Sequence, residues 1–204
     1  MPRSVASTPA PPPIRPNEIK LHWQLCPFNT YRASGRHLRV EFDITKPVEL
    51  VVIRDLAHGY PRKLPSAEVK SYLDRKVCED PPLRQMTIHF DKFPQWPVVV
   101  TRADGGVIRV RDVFEAMYDN LRTTVNRQDR EAYIPKDKIK ECSAAFIKRC
   151  RESTITVPEG ERQGGMRRVD LLMGDSAFLG LTRPHKEDQD FWVAHFGALP
   201  SQSP

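Results

Sequence analysis

The sequence has no apolar run approaching the roughly 20 residues that a bilayer span needs. Arg3 near its start has no apolar segment behind it, so neither a membrane anchor nor a secretory leader is expected. Cysteine is sparse. Cys26, Cys78, Cys142 and Cys150 never fall in C-x-x-C spacing, which excludes a zinc ribbon or a thioredoxin-type motif. Were Cys142 and Cys150 on one helix, they would stand about 12 Å apart along its axis, too far for a disulfide. Reduced thiols in a cytoplasmic or nuclear setting follow as the expectation. No long basic block occurs either: 32 basic residues are interspersed with 26 acidic ones for a net charge of +6. Nucleic-acid binding, through a basic helix near 136–151 and a loop at Arg162–Arg168, therefore stays an alternative that charge alone does not favour. No internal repeat is present. H-E-x-x-H spacing, a phosphate-binding glycine loop and a nucleophile elbow are also missing, so no cofactor and no assembled catalytic motif is predicted.

Proline, by contrast, is abundant at 19 residues and gathers in tails and connections. Residues 1–18, with Pro9, Pro11, Pro12, Pro13 and Pro16, read as a disordered or polyproline II tail. A single domain is expected over 19–197 and a second tail over 198–204. Pro9-x-x-Pro12 and Pro13-x-x-Pro16 have the spacing that aromatic-lined grooves bind, although such patterns arise freely in proline-rich tails.

Inside the domain, hydropathy patterning places the elements. Leu38, Val40 and Phe42 alternate with Arg39, Glu41 and Asp43, the period-two signature of a strand with one wet face. Val48–Ile53 reads as a more buried strand, and Ser66 as the N-cap of a short helix carrying Val69 and Leu73. Met86, Ile88 and Phe90 alternate again. Val98–Arg102 then meets Ala103-Asp104-Gly105-Gly106 and returns through Val107 and Ile108, which predicts a hairpin. Val110, Val113, Phe114, Met117, Leu121 and Val125 form an apolar helical stripe with Asp112 in the first turn, where its charge complements the helix dipole. A second helix is expected from Lys136 to Glu152. Ile139, Cys142, Ala145, Phe146 and Cys150 would face inward, and Lys148, Arg149 and Arg151 outward. Val157–Gly165 reads as a polar loop. Met166–Met173, Ala177–Leu181 and Phe191–Phe196 read as closing strands. The order predicts an α+β fold, a mostly antiparallel sheet with a hairpin feeding two packed helices.

Several segments in this order carry a resemblance: Leu21-His22-Trp23-Gln24-Leu25, Trp96-Pro97-Val98-Val99-Val100, Val110–Tyr118, Phe146 with Arg149, Arg168-Val169-Asp170-Leu171-Leu172, Phe178-Leu179-Gly180-Leu181 and Phe191-Trp192. Together they resemble an uncharacterised domain-of-unknown-function family abundant in mushroom-forming basidiomycete fungi. The chain departs from that pattern at Gln24, where Asp is expected, at Arg109, where a Thr helix cap is usual, and in a longer Arg54–Arg84 excursion. The resemblance implies a fold and a source, but no activity.

Candidate site residues are accordingly few. Trp23, Trp96 and Trp192 bury large area as core or rim, or line an apolar pocket or peptide groove for a small ligand or protein partner. Asp170, with Arg168 beside it, is a structural ion pair or cap before it is a catalytic carboxylate, because no second titratable group is evident. His185, Glu187, Asp188, Asp190 and His195 are rich in metal-ligating types but lack ligand spacing, so no metal is predicted. Gly164-Gly165 among Arg162, Arg167 and Arg168 has the composition of an anion-holding loop. The cysteines lack a neighbouring base. These features favour a non-enzymatic interaction or small-ligand-binding module, with a hydrolase or transferase assembled only in three dimensions as the alternative.

Overall fold

A computed structural model describes residues 19–27, 30–33, 36–57, 60–153, 156–184 and 190–198. The proline-rich segment, with its Pro-x-x-Pro repeats, and the last residues lie outside them.

The described residues form two four-stranded sheets that share one core. The first runs in the order β1 (Thr30–Ala33), β2 (Arg36–Glu41), β3 (Val52–Asp55), β4 (Arg62–Lys63), all antiparallel. The second has β5 (Gln85–Phe90) and β6 (Val98–Thr101) antiparallel, and β7 (Ala177–Thr182) and β8 (Trp192–Gly197) antiparallel. A parallel β5–β8 pairing joins the two halves in the order β6-β5-β8-β7. The sheets meet where the chain leaving β2 pairs with the start of β7: Ile44 donates to the Ser176 carbonyl and Phe178 to that of Phe42, both at 2.9 Å.

Among the described residues, five α-helices accompany the sheets: α1 (Ser66–Leu73), α2 (Val110–Leu121), α3 (Arg127–Tyr133), α4 (Ile139–Arg151) and α5 (Pro158–Gln163). Helix α2 is the centrepiece. Its predicted stripe, Val110, Val113, Phe114, Met117 and Leu121, is buried. Phe114 packs on Phe42 at 4.7 Å and on Phe178 at 5.4 Å, between ring centroids, so one ring binds residues from both sheets. Asp112 accepts from the Arg109 backbone N–H at 2.7 Å, which starts the helix without a Thr cap.

The structure corrects several expectations. The hairpin at Asp104-Gly105 is not formed. The turn is there, with Gly105 at φ 67° and the Gly106 N–H on Asp104, but Val107 and Ile108 are not a strand and β6 pairs with β5. Ile108 instead donates to the Leu83 carbonyl and accepts from Val77, because Arg109 already opens α2 and leaves no length for a return arm. Val48–Ile53 divides into a 3₁₀ turn, Val48–Leu50, and the beginning of β3. Ser66 is the first residue of α1, and Pro65 holds the cap position without a side-chain bond. The second predicted helix begins at Ile139, after a 3₁₀ turn at Lys136–Lys138, and Ile139 is exposed. The polar loop at 157–165 contains α5, started by Pro158 at its first position. Met166–Met173 holds a 3₁₀ helix, Arg168–Leu172, where a strand was expected. Trp96-Pro97 is trans, and the cis bond among the described residues is Asp80-Pro81.

Candidate functional site

The most unusual chemistry in the molecule is ionic and buried. Helix α4 turns one face inward, and Arg149 lies on it at 6% exposure, although its charge had assigned it to the outer face. Its guanidinium grips Asp170 with both arms, Nε to Oδ1 at 2.7 Å and Nη2 to Oδ2 at 2.9 Å. Nη1 donates to Glu161 Oε2 at 2.6 Å, and Nη2 also reaches the Gly165 carbonyl at 3.1 Å. Glu161, 1% exposed, is held in turn by Arg122 at 2.9 Å, Arg167 at 3.1 Å and the Thr156 hydroxyl at 3.2 Å. Asp170 also accepts from the Arg167 backbone N–H at 2.8 Å, capping the 3₁₀ helix.

Three guanidinium groups and two carboxylates thus tie α2, α4, α5 and the Arg168–Leu172 turn together. Burial raises the Asp170 carboxyl above its ordinary value, against the opposing hydrogen bonds and charge of Arg149. Of the arginine- and glycine-bearing loop, Arg167 meets Glu161 and Asp170, while Arg162 pairs with Glu159 and the Gly165 carbonyl accepts from Arg149. Asp170 is 2% exposed, with both carboxylate oxygens engaged by Arg149.

Arg168 leaves this network and lies over the Trp96 ring at 4.5 Å, its Nη1 donating to Asn120 Oδ1 at 3.1 Å. Phe93 and Tyr133 contact other sides of the same indole. Of the residues singled out from sequence, the structure therefore brings Trp96, Arg168 and Asp170 into one neighbourhood. Trp23 is elsewhere, in a 3₁₀ turn against His22, Tyr31 and Tyr72, and Trp192 lies on β8 under Arg183. The three indoles do not line a common groove.

A cavity of about 460 Å³ opens between α3, the start of α4 and Met166. Ile134, Ile139, Cys142 and Met166 give it an apolar lining, while Arg127, Arg130, Glu131 and Lys136 supply charge. Arg127 is engaged with Glu131 at 2.8 Å. Among the described residues Arg130 and Lys136 have no side-chain hydrogen-bond or ion-pair partner, so the mouth carries two uncommitted cations. Helix α3, whose residues Arg127–Tyr133 include no buried side chain, leaves no apolar period to read, and neither it nor this cavity is expected from the sequence. Burial pushes the Cys142 thiol up, away from the reactive thiolate.

The metal-ligand-rich segment does not assemble. His185, Glu187 and Asp188 lie outside the described residues, Asp190 pairs with Arg183 at 3.0 Å, and among the described residues no three potential ligands converge. His195 has a different setting, with Nε2 2.7 Å from the Thr182 hydroxyl and Nδ1 3.3 Å from Asp91 Oδ2. Cys26, Cys78, Cys142 and Cys150 are all free thiols. No helix among the described residues is long and apolar enough to cross a membrane.

Comparison with curated proteins and with solved structures finds no match. A protein-family model does match over residues 40–190, a span that holds the ionic network, the Trp96–Arg168 stack and the cavity while leaving out Trp23. The chain belongs to that family, the Family of unknown function (DUF6699).

Proposed function

We propose that this protein is a binding module whose cavity between α3 and α4 takes a small ligand with an apolar body and an anionic end. One observation supports the reading above others: an apolar-lined cavity of about 460 Å³ with two uncommitted cations, Arg130 and Lys136, at its mouth. That volume falls within the range of ligand pockets, and a few placed charges on an apolar lining are how such pockets orient their ligands. The ionic network at Arg149 ties α4, whose first turn lines the cavity, to α5 and the Arg168–Leu172 turn. A cytoplasmic or nuclear setting in a fungal cell accords with the four free thiols and the resemblance in sequence. Decanoate titrated into the protein by calorimetry tests the reading. Decanoate binds, decanol binds at least tenfold more weakly, and Arg130→Ala with Lys136→Ala weakens decanoate to the level of decanol, a loss of about 1.4 kcal/mol or more. Equal binding of the two probes, or none of either, refutes it.

An enzymatic reading rests on Thr182, His195 and Asp91, which stand in the hydroxyl–imidazole–carboxylate order of a nucleophile, its base and an orienting group. It predicts hydrolysis of p-nitrophenyl acetate that His195→Ala abolishes. Turnover unchanged in that variant removes it.

A further inference from the structure

We infer that the outer face of the first sheet is a docking surface for single-stranded nucleic acid. Leu38, Val40 and Ile53 point into the core, so the alternate residues of β2 and β3 face away from it. Register then sets a straight row across three strands: Arg39 is opposite Arg54, and Arg54 is opposite Lys63. With strands about 4.8 Å apart, the row carries three cations in roughly 10 Å. Thr30, opposite Arg39 on β1, continues it, and Arg32 and His37 form the next row along.

Among the described residues the face thus gathers Arg32, Arg39, Arg54 and Lys63 against one carboxylate, Glu41. That carboxylate is already divided between Arg39 at 2.6 Å and Arg54 at 2.7 Å. Burial works to raise the Glu41 carboxyl, but the bonds and charges of the two arginines outweigh it and hold it below its ordinary value. Glu41 bridges the two facing arginines but neutralises only one of them, so with Lys63 opposite Arg54 the row keeps a net positive charge that a polyanion would complement. Three residues ahead of Lys63 in the chain, Tyr60 is 85% exposed, so its ring is open to stack on an unpaired base. A row of cations and an exposed aromatic are the parts that single-strand binding uses.

This surface is separate from the α3–α4 cavity, and from the helix and loop that the sequence had offered for nucleic acid. There Arg149 and Arg167 are committed to Glu161 and Asp170.

The test is fluorescence anisotropy of a labelled oligothymidylate about 20 nucleotides long, across about 50 to 200 mM NaCl. With three phosphates neutralised, log Kd rises against log salt with a slope of about 2, near 0.7 per phosphate. Lys63→Ala and Arg32→Ala, both at exposed positions that the fold tolerates, each weaken binding severalfold, and Lys63→Ala lowers the slope by about 0.7. Tyr60→Ala weakens binding at least fivefold with the slope unchanged. Arg130→Ala with Lys136→Ala leaves the isotherm where it was, which keeps this result independent of the cavity. Absence of binding at the lowest salt overturns the inference. So does binding indifferent to Lys63→Glu, or binding to phosphatidylserine vesicles with none to the oligonucleotide.

Discussion

Replacing Arg149 by methionine removes one guanidinium and, with it, two hydrogen bonds to Asp170, one to Glu161 and one to the Gly165 carbonyl. The two carboxylates do not suffer equally. Glu161 keeps Arg122, Arg167 and Thr156, so its charge stays compensated. Asp170, 2% exposed, keeps only the Arg167 backbone N–H. An orphaned buried charge costs about 3–5 kcal/mol, which for a domain of this size lowers Tm by roughly 10 °C. Urea denaturation followed by tryptophan fluorescence reads the loss.

Two controls separate charge from packing. Adding Asp170→Asn to Arg149→Met neutralises the orphan while keeping an acceptor for the Arg167 N–H, and restores about 1–2 kcal/mol. Lowering pH from 7 to 5 narrows the deficit of Arg149→Met. Burial already raises the Asp170 carboxyl, and without Arg149 nothing comparable opposes it, so the folded variant takes up a proton that its unfolded chain does not. A loss under about 1 kcal/mol, or a double variant weaker than the single, would refute the assignment of Asp170 as the group that needs Arg149.

Two further perturbations act far from this network. Gly180 sits in β7 at φ 116°, and a Cβ there would stand 2.5 Å from the Cys26 carbonyl oxygen, so Gly180→Ala is expected to cost several kcal/mol by calorimetric melting, about 3 or more. A Tm within a degree of wild type would contradict it. His22 is depressed to about 4, first by burial and then by Arg75, so it stays neutral in the fold while the unfolded chain binds a proton below about 6.5. Stability therefore falls as pH drops from 6.5 toward 4. His22→Gln flattens that slope by up to one proton, and an unaltered slope in urea melts at successive pH values would rule His22 out.

Legibility in the sequence followed the strength of each local pattern. Helix α2 was plain because five apolar residues keep the helical period against a charged opposite face. Strands β2 and β5 were plain because one side is wet and the alternation is strict. Val48–Ile53, apolar on both faces, carried no period to separate a 3₁₀ turn from a strand. The pairing partner of β6 lay upstream, in β5, and local turn chemistry says nothing about that choice. Among site residues, Arg149 is the instructive case. It falls seven after Cys142, four after Ala145 and three after Phe146, so helical period placed it inward, while residue type argued the reverse. A buried arginine needs carboxylates from elsewhere in the chain. Glu161 was hidden in a segment whose Pro and Gly suggested a loop, and Asp170 in a turn taken for a strand. The cavity was invisible because α3 contributes no buried side chain and owes its place to the Asn126 cap and its neighbours.

The parallel contact of Ile88 with Trp192 has a bearing on assembly in time. Strand β8 occupies the middle of its sheet yet leaves a ribosome after the other seven described strands, so β5 must wait about a hundred residues with one edge bare. Such long-range closure slows folding and leaves a sticky border on the nascent chain. A ribosome halted before Trp192 would hold a half-sheet, with the rings of Phe90 and Phe178 lacking Phe196, and chaperone binding should be heaviest at that length.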